Sequence, residues 1–317
     1  MVSLKNAVWS AIRDCLSVSR EERVLVLCDE TRMELARSFH EALRTSATGT
    51  CLLTLPPDPD SYAESSKGLI ALMSEFDAVV LLTRRSWLHT EARRQASRHG
   101  TRFLCLPGAT PDALCRTLTG KYAAIVEKSR KIADIFTIGK QGVLTTPAGT
   151  SLQFSIARMR GLADTGIASE PGSIACAPGG EGSVSPIPES VNGHVVIDGS
   201  FPEIGPLSKP MCVTIRSGCV QRISGGKEAD RLKTLMRKQG KPGRTVAEIG
   251  VGTNPYAVLT GVTLEDEKVL GTAHVAFGDS QTFDGKTAAV YHLDGILLKP
   301  TLDVDGKRIV ENGVINV

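Results

Sequence analysis

The sequence predicts an α/β protein of two domains, because its pattern of apolar residues changes near residue 139. Before that point, short apolar runs alternate with segments of helical spacing, an order typical of a doubly wound parallel sheet. After it, short strand-like runs are separated by Asn-Gly, Asp-Gly and Ser-Gly turns, which favour β-hairpins. We therefore predict a Rossmann-like α/β domain over residues 1–138 and an α+β domain with mostly antiparallel strands over residues 139–317.

Four apolar runs of strand length follow one another in the first domain, namely ERVLVLCD, GTCLLTLP, DAVVLLTR and TRFLCLPG. Segments with helical spacing alternate with them: TRMELARSFHEALRT, SYAESSKGLIALMSEF, HTEARRQASRHG and PDALCRTL. A Gly-x-Gly-x-x-Gly turn, which binds the phosphates of a dinucleotide, would be expected directly after the first strand. LCDETRME stands there instead, so the sequence argues against a dinucleotide site.

The composition is that of a globular protein with an apolar core. Of 317 residues, 41 % are hydrophobic and 22 % are charged, and the net charge is only +3. Without a long basic run or an apolar stretch of roughly 18 residues, we expect neither a nucleic-acid partner nor a membrane span. The opening MVSLKNAVWSAIRDCLS has the spacing of an amphipathic helix rather than of a signal peptide, and the eight cysteines include no C-x-x-C pair. We expect a cytoplasmic protein with reduced thiols.

Histidines and carboxylates of the kind that bind metals gather in the second domain. In VYHLDGILLKP, His292 and Asp294 lie two residues apart in a strand-like run, so both point to the same face. Such a pair is either a solvated polar stripe or two arms of one metal site. Glu181 lies in the loop APGGEGSVSP, Glu248 lies at the end of an apolar run before a glycine turn, and His274 lies in the apolar segment VLGTAHVAFGDS.

These two imidazoles and three carboxylates form a nitrogen and oxygen ligand set that suits Zn, Mn, Co or Fe(II). Three of the residues also have an ordinary structural interpretation. Glu181 could be a solvated surface charge, Glu248 a brace for a turn, and His274 a hydrogen-bonded core histidine. Outside this group, His89 could cap a helix or reach a substrate. The residues alone leave these alternatives open.

The order of the motifs over residues 140–317 resembles that of a known family. The segments that carry the resemblance are PAGTSLQFSI, APGGEGSVSP, NGHVVIDGS, EIGVGTNPYAVLTGVTLEDEKVLGTAHVAFGDS and HLDGILLKPTLDVDGKRIVENG. They are similar to segments of the aminopeptidase T type of metalloaminopeptidases. They are equally similar to a related branch that includes 2,5-dihydroxypyridine 5,6-dioxygenase, a non-haem Fe(II) ring-cleaving enzyme.

The peptidase resemblance implies two divalent metals held by all five residues, with Glu181 and Glu248 as candidate catalytic carboxylates and small peptides as substrates. The dioxygenase resemblance implies a single iron held by His274, His292 and Asp294, with a small aromatic substrate. The peptidases also carry a tyrosine shortly after the first ligand histidine, and the corresponding segment GDSQTFDG has none. That departure puts peptide hydrolysis in question more than metal binding.

We therefore expect a metal-dependent hydrolase that resembles an aminopeptidase, with one or two divalent ions (Zn, Co, Mn or Fe(II)) per chain. The second interpretation is a non-haem Fe(II) ring-cleaving dioxygenase, and the third is an inactive homologue that binds a peptide or acts as a scaffold. Metal stoichiometry separates the first two, since two ions favour hydrolysis and one iron with oxygen uptake favours the oxygenase. The resemblance also implies a homodimer.

Overall fold

The computed structural model describes residues 1–56, 66–88, 90–202, 204–238 and 240–317. The chain forms two compact units, each made of two segments. The first unit comprises Met1–Tyr122 and Thr165–Gly179, and the second comprises Ala123–Asp164 and Gly180–Val317. This division differs from the predicted boundary between residues 138 and 139. The helix before that boundary belongs to the second unit, and a later segment of the chain belongs to the first.

The α-helices of the described residues are α1 (Leu4–Ser10), α2 (Met33–Leu43), α3 (Lys67–Ser74), α4 (Glu91–Arg98), α5 (Pro111–Thr117), α6 (Ala123–Ile138), α7 (Lys227–Lys238), α8 (Gly240–Gly243) and α9 (Thr263–Asp266). The strands are β1 (Arg23–Asp29), β2 (Gly49–Leu55), β3 (Ala78–Leu82), β4 (Arg102–Cys105), β5 (Gln141–Thr145), β6 (Ser151–Ser155), β7 (Gly161–Asp164), β8 (Ile174–Cys176), β9 (Glu181–Val184), β10 (Asn192–Ile197), β11 (Ser200–Phe201), β12 (Gly205–Pro206), β13 (Met211–Arg216), β14 (Cys219–Ser224), β15 (Val246–Gly252), β16 (Ala273–Gly278), β17 (His292–Leu297), β18 (Thr301–Val304), β19 (Lys307–Glu311) and β20 (Val314–Ile315).

A parallel sheet in the order β2-β1-β3-β4-β8 forms the centre of the first unit. The residues from Val24 to Cys28 in β1 are all buried, as is typical of a parallel strand covered on both faces. Helices α3, α4 and α5 begin at side-chain caps, because Ser66, Thr90 and Thr110 each accept a backbone N–H from the first turn. The predicted alternation of parallel strands and helices is confirmed.

Strand β8 joins this sheet from a distant part of the sequence and was not predicted. It pairs in parallel with β4, with Ile174 opposite Phe103 and Cys176 opposite Cys105. Three residues are too few to show a period of two, so the local pattern gave no signal for this strand.

The second unit contains two larger antiparallel sheets. One has the order β14-β13-β10-β6-β5-β18-β19-β20, the other has the order β17-β16-β15-β9-β7, and β11 and β12 form a separate short ribbon. The strand pairs described in these sheets are antiparallel. This confirms the class predicted for the C-terminal domain.

Helix α6 packs against β7 and β9, and a glycine allows the close approach. A Cβ built on Gly182 in β9 would lie 2.7 Å from Cβ of Ile132 and 2.9 Å from the carbonyl oxygen of Ser129 in the helix. Ile132 also belongs to a continuous buried core that includes Phe154 and Phe277. Core packing of α6 therefore positions β9, the strand that begins with Glu181.

The described residues include no helix with both the length and the apolar character needed to cross a bilayer. No disulfide bond joins any of the eight cysteines, all of which lie within the described residues. Cys28 and Cys105 lie buried in β1 and β4, where cysteine packs as a small apolar side chain.

Candidate metal centre

The five predicted ligand residues lie on four neighbouring strands of the second unit. Glu181 begins β9, Glu248 is in β15, His274 is in β16, and His292 and Asp294 are in β17. These four strands are adjacent, in the order β17-β16-β15-β9. Residues opposite each other in a ladder share a face, as do residues two apart in one strand. The register therefore places all five side chains on one face of the sheet.

One glycine of β15, Gly250, makes room for a side chain from the neighbouring strand β16. His274 is directly opposite Gly250, and Glu181 is directly opposite Gly252. A Cβ built on Gly250 would overlap Nε2 of His274. The prediction that a glycine turn follows Glu248 is wrong, because both glycines lie within strand β15.

The side chains converge on Glu248. Nε2 of His292 lies 2.8 Å from Glu248 Oε2 and 3.2 Å from Asp294 Oδ1. Nε2 of His274 lies 3.4 Å from Glu181 Oε2 and 3.8 Å from Glu248 Oε1. One ligand atom each from Glu248, His292 and Asp294 lies within 4.8 Å of the others, a spacing that fits a metal ion. The Glu248 carboxylate thus lies between the two imidazoles, with one oxygen toward each.

The centre is buried, with the His274 side chain 1 % exposed and the Glu248 side chain 2 % exposed. Four of its buried polar atoms have no hydrogen-bond partner among the described residues: Glu181 Oε2, Glu248 Oε1, and both ring nitrogens of His274. Buried polar atoms are rarely left without partners. Carboxylate oxygens and imidazole nitrogens are ligands for divalent transition metals, so the residues present fit such an ion.

The charges of the centre hold protons on both imidazoles. Burial alone would lower the pKa of His274, but the carboxylates of Glu248 and Glu181 raise it to about 9. Burial also opposes protonation of His292, yet Asp294 and Glu248 raise its pKa well above the ordinary value. Burial would raise the pKa of Glu248, but the two imidazoles lower it instead. A metal ion at this centre would therefore have to displace these protons.

A second group of charges adjoins the centre through Glu181. Nζ of Lys268 lies 2.8 Å from Glu181 Oε1, 2.9 Å from Asp164 Oδ2 and 2.9 Å from Glu267 Oε1. Burial raises the pKa of Glu181 to about 7, against the opposing effect of the Lys268 charge. Burial likewise raises the pKa of Glu267 well above its ordinary value.

Sequence reasoning missed Asp164, Glu267 and Lys268. Lys268 ends the charged run EDEK, and a run of charges is usually a solvated surface. In the structure its side chain is 1 % exposed. The pattern of residues in this run does not predict that Lys268 is buried, because the burial depends on carboxylates that are distant in the sequence.

The hydroxyl of Tyr291, the residue before His292, donates to the carbonyl of Gly243 at 2.9 Å. His89, predicted to cap a helix or to reach a substrate, lies outside the described residues.

The metal-free protein is expected to lose stability as the pH rises from about 6.5 to about 9. The pKa of His274 is raised in the folded state, so its contribution is fully present below the ordinary value of 6.5 and is lost as the pH passes about 9. The raised pKa of Glu181 acts in the same direction at lower pH. A bound cation takes the place of these protons, so it should remove much of the loss.

The free energy of unfolding of the metal-free protein should fall by on the order of 3 kcal/mol across this pH range. Melting temperatures of EDTA-treated and Mn²⁺-loaded protein follow this loss. His194→Gln, at an exposed position of β10, is the control and should leave the slope unchanged. A metal-free melting temperature that stays constant over the range would contradict the assignment of protons to His274.

The family model of 2,5-dihydroxypyridine 5,6-dioxygenase, NicX, matches residues 5–317. The match includes the N-terminal domain, whereas the motifs had carried a resemblance only over residues 140–317. The family is defined by an enzymatic activity, which confirms the prediction of an enzyme. A search of curated proteins found no match.

Two solved structures share the fold. The 2,5-dihydroxypyridine dioxygenase of Pseudomonas putida KT2440 is 20 % identical and superposes with a TM-score of 0.85, covering 99 % of this chain and 97 % of the other. Wild-type AmpT from Thermus thermophilus is 17 % identical, with a TM-score of 0.70 and 99 % of both chains covered. Both branches named by the sequence motifs therefore have this fold. By the match over nearly its whole length, the chain belongs to the 2,5-dihydroxypyridine 5,6-dioxygenase (NicX) family.

Proposed function

We propose that the chain is a metal-dependent hydrolase that resembles an aminopeptidase. The position of Glu248 is the observation that supports this most. Its Oε2 lies 2.8 Å from His292 Nε2, while its Oε1 lies 3.8 Å from His274 Nε2. A carboxylate shared between two sets of ligands is suited to a two-metal hydrolytic site.

Glu248, His292 and Asp294 would hold one divalent cation, and Glu181, Glu248 and His274 would hold a second. Zn, Co and Mn suit ligands of this kind. When bound, such cations polarise a scissile carbonyl and supply a water whose pKa is lowered from about 15.7 to about 7.

The backbone selects the nitrogen of His292 that faces the centre. Nδ1 lies 2.6 Å from the carbonyl oxygen of Asp279, which can only accept a hydrogen bond. In the neutral ring Nδ1 therefore carries the proton, and the lone pair of Nε2 points toward Glu248 and Asp294. A backbone contact of this kind fixes both the tautomer and the orientation of a ligand histidine.

Glu181 is suited to proton transfer when a single cation occupies the set of Glu248, His292 and Asp294. Its pKa of about 7 matches neutral pH, where a general acid or base is most effective. Its Oε2 has no hydrogen-bond partner among the described residues, so this oxygen can accept a proton from the attacking water. The same oxygen can then donate that proton to the leaving amine.

A second candidate is a non-haem Fe(II) ring-cleaving dioxygenase, and the family match over residues 5–317 favours it. His274, His292 and Asp294 would then form a set of two histidines and one carboxylate. When bound, Fe(II) would supply the oxygen chemistry. Glu181 and Glu248 would remain beside this set, with Glu181 available as a base for an aromatic hydroxyl.

Metal content and substrate turnover test the proposal together. Protein reconstituted with Mn²⁺, Co²⁺ or Fe²⁺ would be analysed for bound metal and then assayed with aminoacyl amides and, in an oxygen electrode, with 2,5-dihydroxypyridine. We expect bound metal, amide hydrolysis without oxygen uptake, and a loss of metal in His292→Ala. One iron per chain with oxygen uptake would establish the second candidate instead, and a protein that binds no metal would refute both.

The predicted homodimer, the cytoplasmic location and the small peptide or aromatic substrate stay predictions. A chain that binds no metal in the same experiment would favour the third interpretation, an inactive homologue that binds a peptide or acts as a scaffold.

A further inference from the structure

Lys268 is a buried cation within a cluster of carboxylates. Its side chain is 1 % exposed, and its Nζ lies within 2.9 Å of oxygens from Asp164, Glu181 and Glu267. A lysine is almost never fully buried unless it is paired, and an ammonium has three N–H donors to offer. The three carboxylates therefore form a cation-binding site, and the ammonium of Lys268 occupies it.

A backbone hydrogen bond holds Lys268 next to the segment that follows strand β15. The carbonyl of Lys268 accepts the N–H of Asn254 at 2.8 Å, and the N–H of Lys268 donates to the carbonyl of Glu265 at 3.0 Å. A Cβ built on Gly252 would lie 2.8 Å from the carbonyl carbon of Lys268, so the strand and this segment are in close contact. Strand β15 also carries Glu248, and the same element therefore positions both the ammonium and the shared ligand.

The two oxygens of Glu181 have different surroundings. Oε1 lies 2.8 Å from Nζ of Lys268. Oε2 lies 3.4 Å from His274 Nε2 and has no hydrogen-bond partner among the described residues. Because Oε1 is taken by the ammonium, only Oε2 is available to a cation beside His274.

We propose that Lys268 is a positioning residue whose ammonium holds Glu181 by Oε1 and presents Oε2 as a single-oxygen ligand beside His274. Asp164 and Glu267 hold the ammonium in place. This inference rests on the proposed function in one respect, namely that Glu181 and His274 bind a cation. Without the ammonium, Oε1 loses this contact, and three neighbouring carboxylates, one buried and two partly buried, repel one another.

Cobalt binding tests the role of Lys268, with Co²⁺ as the probe and both affinity and visible absorption as readouts. We expect Lys268→Met to weaken the Co²⁺ position that includes Glu181 by about 10–100-fold, the usual effect of losing an outer partner of a metal ligand. The absorption spectrum should change, since the geometry of one ligand changes. The position formed by Glu248, His292 and Asp294 should keep its affinity.

A double-mutant cycle separates positioning from a general loss of stability. If Lys268 acts through Glu181, the double variant of Lys268→Met and Glu181→Gln should bind Co²⁺ no more weakly than Glu181→Gln alone. Lys233→Met, which removes a partly exposed lysine paired with Asp230 in α7, is the matched control and should leave both readouts unchanged.

The milder variant Asp164→Asn keeps the volume and one acceptor oxygen, and should weaken the same position to a smaller extent. If Lys268→Met does not fold, the Co²⁺ affinity of Asp164→Asn tests the role of Lys268 instead. A folded Lys268→Met protein with wild-type affinity and spectrum would overturn the role of Lys268 alone, as would additive losses in the cycle. A wild-type protein that binds no Co²⁺ would overturn the proposed metal site and this inference together.

Discussion

Replacing Glu248 by glutamine should lower the affinity of the protein for Mn²⁺ by at least about 100-fold, because even outer partners of metal ligands contribute about 10–100-fold. The substitution keeps the shape of the side chain and removes its charge. It also directs an amide N–H₂ group toward one of the imidazoles, which lie 2.8 Å and 3.8 Å from the present carboxylate oxygens. A ligand atom facing each cation position is thus lost or weakened by one change. Equilibrium dialysis with Mn²⁺ measures the effect.

The same substitution should also destabilise the metal-free protein. Glu248 is the buried counterion of two protonated imidazoles, and removal of one partner from a buried ion pair costs about 3–5 kcal/mol. Asp266→Asn is the matched control, because Asp266 is a buried carboxylate of the same unit that accepts the N–H groups of Thr260 and Gly261. That variant should lower the melting temperature and keep Mn²⁺ affinity. Wild-type Mn²⁺ affinity in Glu248→Gln would show that Glu248 is not a ligand.

Much of the fold could be predicted because the strands of the first unit carry their own signal. The run ERVLVLCD appears as β1, Arg23–Asp29, and its residues from Val24 onward are buried on both faces of the sheet. Such a strand is apolar throughout, so it is visible from its own residues. Strand β8 and the return of Thr165–Gly179 to the first unit could not be predicted, because both depend on pairing between distant segments rather than on a local pattern.

The candidate site could be predicted in part for a similar reason. His292 and Asp294 are polar residues two apart in an otherwise apolar strand, and a shared face follows directly from that spacing. That these two residues lie close to Glu248 and Glu181 depends on strand order and register. The residue spacing within a single strand does not predict either of these. The sequence offered those residues as candidates, and the resemblance to a family implied that they bind metal together.

Lys268 shows where sequence patterns stop being informative. In the run EDEK, neighbouring charges of both signs are usual on a solvated surface, whereas contacts with three carboxylates account for a buried lysine. Gly250 was misread for a related reason. A glycine after an apolar run usually indicates a turn, whereas here it leaves space for an imidazole from the adjacent strand.

Gly250→Ala should therefore disrupt the centre without removing any ligand. A Cβ at this position would overlap Nε2 of His274 and would lie 3.0 Å from Cβ of Ser183. The imidazole has to move away from Glu181 and Glu248, so Mn²⁺ affinity should fall by about 10–100-fold, comparable to the loss of a supporting partner. Overpacking should also lower the free energy of unfolding by about 1–3 kcal/mol. Dialysis with Mn²⁺ and chemical denaturation measure the two effects.

Combining Gly250→Ala with His274→Ala tests whether the clash with the His274 imidazole causes these losses. In a His274→Ala background the imidazole is absent, so Gly250→Ala should cost less stability there than in the wild-type chain. Gly49→Ala is the control within a strand, because a Cβ there would lie 3.5 Å from Cγ of Arg23, an ordinary contact, and it should leave Mn²⁺ affinity unchanged. If Gly250→Ala is equally destabilising in both backgrounds, or binds Mn²⁺ as tightly as the wild type, then the space above Gly250 does not hold His274 in its ligand position.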